Sequence, residues 1–224
     1  MWSIRLALTS LALMIVVSSL LSGVVMVAFD APIDTMDLSE PRVLLFIVLA
    51  NFIGVLSALL YAARTIGRSA FKWTPCSLHD AGWAIAMVVP SFGIGNLVAI
   101  VAGHLGVNSE PQMIVEAMLT TTSMAALVGA LAYAIIGASI LEEALFRGVL
   151  QPTLVHRFGP AGGIAVTSML FGLVHMADIW AVVPLMMVGA IAGWLRHRTG
   201  GLGAPILFHA VHNAAAFGFM VMAT

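Results

Sequence analysis

Residues 124–147 read MAALVGALAYAIIGASILEEALFR. The run carries no charge until Glu142 and Glu143, and Arg147 follows. An uncharged apolar stretch of this length can cross a bilayer, which takes roughly 20 apolar residues in a helix. A charged side chain deep in the membrane costs a few kcal/mol or more, so ionisable groups in such a run are functional candidates by default. The stretch therefore raises two questions: how many such helices there are, and what its glutamates are for.

The whole chain answers the first. Of its 224 residues, 61% are hydrophobic and 8% charged, with a mean hydropathy of +1.08. A soluble domain carries about a quarter charged residues, so lipid and not water is the main solvent here. Seven long apolar runs stand out, at about 6–29, 43–63, 82–105, 122–146, 160–178, 179–196 and 202–222. In lipid, a segment without strand partners satisfies its own backbone only as a helix. The fold class that follows is an all-α polytopic transmembrane bundle of about seven (six to eight) spans. It forms a single integral domain over 1–224. The first run is too long for a signal-peptide core and no A-x-A-like cleavage site follows it, so it reads as a span. Pro90, with Ser91, Gly93 and Gly95, predicts a kink or broken turn in the third span. Ser109 to Thr122 reads as a short interfacial segment. Gly189 and Gly193 are spaced for a close helix contact. Spans five and six are nearly continuous in sequence.

The loops orient the bundle. Arg64, Arg68 and Lys72 follow span two, Arg147 and Arg157 span four, and Arg196 and Arg198 span six. Acidic residues (Asp30, Asp34, Asp37, Glu40; Glu110, Glu116; Asp178) fill the alternate loops. With the N-terminus and Arg5 inside, only Arg42 among the basic residues falls outside, so the Lys/Arg bias favours N-in, C-out. The net charge of −1, with no basic run, gives no sign of a nucleic-acid partner. Cys76 is the only cysteine, which excludes an internal disulfide and a cysteine zinc site.

The polar groups inside the apolar runs divide by spacing. Glu143 and Arg147 are four apart with the acid first, so they share a helix face and can pair. Glu142 points about 100° away and is left as the free carboxylate. The plain alternative is a pair of helix-end charges facing water. Phe171 and His175 share a face, as do His209 and Asn213. Each alone would be an ordinary packing or helix–helix hydrogen-bonding group. His212, one step off, faces elsewhere. Together they put a carboxylate pair, two histidines and an asparagine on three spans. If these converge, they supply a general base and donors for an oxyanion. A carboxylate in an apolar pocket is suited to take a proton from water near neutral pH. There is no G-x-S-x-G, and the lone cysteine lies in a loop.

The three motifs Glu142-Glu143-x3-Arg147, Phe171-x3-His175 and His209-x3-Asn213, in that order, resemble those of the CAAX prenyl protease and bacteriocin-processing (ABI) family. The resemblance covers residues 142–213 and makes 122–222 a catalytic helical core. It implies an intramembrane endopeptidase acting on hydrophobic or prenylated peptides in a lipid membrane, with a polar cavity open toward the cytoplasmic leaflet. By that analogy Glu142 activates water with help from His175, His209 and Asn213 form the oxyanion hole, and Glu143 and Arg147 hold the geometry. No cofactor is needed. The alternative is zinc held by His175, His209 and Glu142 or Glu143. The short loops suggest a prokaryotic cell membrane. Two other classes remain: a transporter whose buried Glu and His groups relay protons, and a catalytically silent immunity or scaffold protein.

One depth does not fit. If span four ends at 146 and span five begins at Pro160, Glu142 is a turn from the surface while His175 is about 22 Å along its helix. A re-entrant turn through Gly159–Gly163, or a strong tilt, would be needed, with a conical internal cavity to reconcile the two.

Overall fold

In the computed structural model, residues 2–28, 37–105, 113–176 and 179–223 are described, and they contain helices and no strand. Long helices α1 (Ile4–Ala28) and α2 (Pro41–Ile66) come first, then a 3-10 turn Arg68–Phe71. The pair α3 (Leu78–Ala86) and α4 (Val88–His104) follows, then the short α5 (Met113–Thr120). The next helix is built in parts: α6 (Met124–Ala132), a π segment Tyr133–Gly137, α7 (Ala138–Leu145), a second π segment Phe146–Leu150, and α8 (Gln151–Leu173). Helices α9 (Ile179–Thr199) and α10 (Gly203–Ala223) close the bundle. Among the described residues, six stretches are long and apolar enough to cross a membrane, and the fourth of them is 50 residues long, from Met124 to Leu173.

That stretch is not one rod. Gly159 has φ 74° and ψ 173°, outside the helical region. Glycine enters that region without a Cβ clash. Pro160 then opens the second limb with a φ suited to a helix start. The limbs fold onto each other so closely that a Cβ on Gly163 would stand 2.4 Å from the Val155 backbone nitrogen. The fold thus has the seventh leg that the apolar runs suggest.

The boundaries differ from expectation in one place that matters. The fourth span does not end near residue 146, because the helix runs on through the second π segment to Phe158. The Arg147 charge does not stop it, since Arg147 is fully buried and paired. Glu142 is therefore not near a helix end: it lies 17 residues before Gly159, and His175 lies 16 after it. At 1.5 Å per residue both are about 25 Å from the turn. The depth mismatch disappears without a tilt, because the turn caps a longer helix. The limb after it ends at Leu173, and α9 starts separately at Ile179; Asp178 between them lies outside the described residues, as do Asp30, Asp34 and Glu110. The third span is interrupted at Met87 (ψ −9°), just ahead of Pro90. What is described of the 109–122 segment is the separate helix α5, with Ala117 and Met118 packed beside Leu44 and Ala126.

The main core gathers around α7 and the π segment after it. Leu145, Phe146 and Val149 pack with Phe171, Leu195 and Phe208. Close approach depends on small residues. Gly189 lies against Ser168 and Gly193 against Ile164. Their carbonyls accept hydrogen bonds from Arg147 Nη2 and Gln151 Nε2, each at 2.9 Å. The glycine pair thus marks a real helix contact, made to α8 and its preceding turn.

Candidate active site

The polar groups of the three motifs meet at one place. Glu143 is fully buried, and its Oε1 accepts from Arg147 Nη1 at 2.9 Å and from His209 Nδ1 at 2.9 Å. Arg147 is also wholly buried; besides Gly189 O it meets the Phe171 ring, 4.6 Å from Cζ to centroid. Arg196 Nε donates to Arg147 O at 3.1 Å. A buried ion pair with this many ties is costly to break, because either partner alone would be an uncompensated charge. Glu143 Oε2 and Arg147 Nε have no hydrogen-bond partner.

Glu142 is placed differently. It has no ion pair among the described residues and faces a cavity of about 670 Å³ that His175, His209, Asn213 and Phe171 also line. The two adjacent carboxylates have thus been sorted, one into the core and one into open space, as the 100° turn between them requires.

The histidine nitrogens can be assigned from their partners. His175 Nδ1 lies 2.8 Å from Phe171 O. A carbonyl only accepts, so Nδ1 carries the proton and Nε2 of the neutral ring is an acceptor. His209 Nδ1 donates to the Glu143 carboxylate, and its Nε2 can donate when the ring is doubly protonated. Phe171 wedges the group: its ring is edge-on to His209 at 5.7 Å and tilted to His175 at 5.3 Å. Asn213 Nδ2 donates to Ala134 O at 2.7 Å, inside the first π segment. One amide hydrogen is thereby used, and one is left. His212 does face elsewhere, stacking on Phe92 at 4.7 Å with Nδ1 2.9 Å from Ser91 Oγ.

Among the described residues, no group of three or more His, Cys, Asp or Glu side chains is positioned to hold a metal ion. Of the two glutamates in the zinc alternative, Glu143 sits between Arg147 and His209 and is not turned to the cavity.

Several cavity residues were not anticipated. Ser18, Ser19 and Ser22 of α1, Asn51 of α2 and Tyr133 of the first π segment line the wall. They are uncharged, so a search for ionisable groups passes over them. Polar residues repeating at helical spacing, as 18 and 22 do, were the available signal. Neither π segment has a signature in the apolar periodicity. Such insertions occur often at functional sites, and these two flank the helix that carries both glutamates.

Residues 123–215 match the family of type II CAAX prenyl endopeptidase Rce1-like proteins. Over that stretch, less than half of its length, the chain is similar to the CAAX prenyl endopeptidases. The match starts at the cap of α6 and ends in α10, so it takes in every motif residue described above. Helices α1 to α5, which furnish the serine-bearing wall, lie outside it. No curated protein and no solved structure matches the chain. The matched family is one of prenyl endopeptidases, and the six apolar stretches among the described residues fit a multi-pass membrane protein.

Proposed function

We propose that the chain is an intramembrane endopeptidase that hydrolyses a peptide bond in hydrophobic or lipid-modified substrates, using Glu142 as the base. The observation that carries this reading is the separation of the two carboxylates: Glu142 faces the cavity unpaired, and Glu143 is bound to Arg147 and His209. A water in the cavity gives a proton to Glu142 while its oxygen attacks the carbonyl carbon. His175 Nε2 accepts from the same water and orients it. The tetrahedral oxyanion receives hydrogen bonds from the free Asn213 amide hydrogen and from His209 Nε2 in its protonated form. Glu142 then returns the proton to the amide nitrogen as the C–N bond breaks.

The reading puts the N-terminus and the basic loops on the cytoplasmic side of a prokaryotic cell membrane, with the cavity open to that leaflet. It is supported by the clustering of basic ends: Leu202 N donates to Lys72 O at 3.3 Å, which joins the turn after α2 to the turn after α9.

The test is cleavage by the protein in liposomes, with farnesylated and unmodified hydrophobic peptides. Activity in the wild type that disappears in Glu142→Gln and survives a chelator supports the glutamate mechanism. Loss with chelator and rescue with zinc overturns the metal-free step. Full activity in Glu142→Gln removes the site assignment.

A further inference from the structure

Among the motif residues around Glu142, few hydrogen-bond donors are left over. Glu142 as a base only accepts. His175 uses its Nδ1 hydrogen on Phe171 O, which leaves Nε2 as an acceptor. Asn213 uses one amide hydrogen on Ala134 O. An oxyanion formed at this place needs donors already pointed at it.

Tyr133 supplies one. It opens the first π segment and lines the same cavity as Glu142. Its ring folds forward over Gly137, where a Cβ would stand 2.9 Å from Cδ2, and Phe52 meets it edge-on at 6.4 Å. The side chain therefore leans along the helix in the direction of Glu142. The hydroxyl has no hydrogen-bond partner among the described residues. Tyr133 is half-buried on the cavity wall, so its hydroxyl is open to an atom of the substrate. The next residue along, Ala134, is the one whose carbonyl holds Asn213, so the two donors are mounted on adjacent residues of one π segment.

We infer that the Tyr133 hydroxyl is a further catalytic donor: it hydrogen-bonds the carbonyl oxygen of the scissile peptide bond and keeps that bond as the oxygen becomes the tetrahedral oxyanion. This rests on the protease reading above. No proton leaves the tyrosine, and the hydrogen bond only strengthens as charge develops.

The test uses the full-length protein in liposomes, a farnesylated hydrophobic peptide, and the same peptide with a phosphonate replacing the scissile amide. Tyr133→Phe keeps the ring and deletes the donor. It should lower kcat by roughly 10- to 100-fold with KM within about twofold. Phosphonate binding should weaken by the same factor, with amide-peptide binding nearly unchanged and the thermal midpoint preserved. Unchanged kcat and phosphonate binding in Tyr133→Phe, beside an inactive Glu142→Gln, overturn the tyrosine role and leave the protease reading standing. A fully active Glu142→Gln overturns both. An equal loss of amide and phosphonate binding assigns Tyr133 to ground-state packing and also overturns the inference.

Discussion

Nδ1 of His209 stands 2.9 Å from Oε1 of Glu143, and that same oxygen takes a hydrogen bond from Arg147. One atom thus ties α10 to α7 and to the π segment that follows it. Replacing Glu143 by glutamine keeps the shape and removes the charge. An amide oxygen could still accept, but Arg147 would be left buried without a counter-charge. Breaking a buried pair in this way costs about 3–5 kcal/mol. Glu143→Gln is therefore expected to unfold at markedly lower temperature in detergent. Its folded fraction should be slower by on the order of 10²-fold, because His209 loses the carboxylate that orients it. A variant with wild-type stability would show that the pair is not structural.

Glu142→Gln should behave in the opposite way. Its side chain has no ion pair and faces open space. Nothing in the core depends on its charge, so the stability change should stay within about 0.5 kcal/mol, as for substitutions that disturb no packing. Cleavage should be abolished. Thermal unfolding and turnover measured on the same preparations separate the two neighbours. A Glu142→Gln protein as unstable as Glu143→Gln would contradict the division between them.

Much of this arrangement could be read from spacing. Glu143 and Arg147, four apart on a helix, are found joined at 2.9 Å, and Glu142 is turned away from them. The His209–Asn213 spacing brings both residues to the cavity. Spacing rules act over one or two turns, and the rest was decided at longer range. His209 meets Glu143 across 66 residues of sequence, which no local rule sees. The fourth span outruns residue 146 because Arg147, which has the sequence look of a loop charge, is buried and paired. The π segments change helix register by single residues, below what apolar periodicity resolves. Tyr133 carries no spacing signal, because its place on the cavity wall depends on a ring folded over Gly137.

The hairpin at Gly159 makes its own prediction. His175 reaches the depth of Glu142 only because the two limbs of α8 lie back to back. Their contact depends on Gly163, where a Cβ would come within 2.6 Å of Val155 Cα. The obstacle is backbone, so it cannot rotate aside. Gly163→Ala is expected to spread the limbs, at a cost of about 1–3 kcal/mol for overpacking. Activity should fall with it, since small displacements of a positioned group cost up to about 10²-fold. By contrast Gly218→Ala, where a Cβ meets nothing within 4 Å, should leave both properties unchanged. Equal behaviour of the two variants in unfolding and cleavage assays would argue against a tight hairpin.

Asn213 tests the oxyanion side of the site. Its Nδ2 donates to Ala134 O at 2.7 Å, and its second hydrogen is available to the cavity. Asn213→Asp has nearly the same volume but can only accept when ionised. It would set an anion against the Ala134 carbonyl and near the Glu142 carboxylate, and offer a repelling atom where the oxyanion forms. Loss of one such donor costs roughly 10²–10³ in kcat, and the added charge pushes the loss to the upper end or beyond. Asn213→Ala removes the donor without the repulsion and should retain more activity than Asn213→Asp. Substrate affinity should change little in Asn213→Ala, because a donor that acts on the oxyanion affects turnover before binding. Were Asn213→Ala to raise KM and spare kcat, the residue would be a substrate-binding group with no part in stabilising the oxyanion.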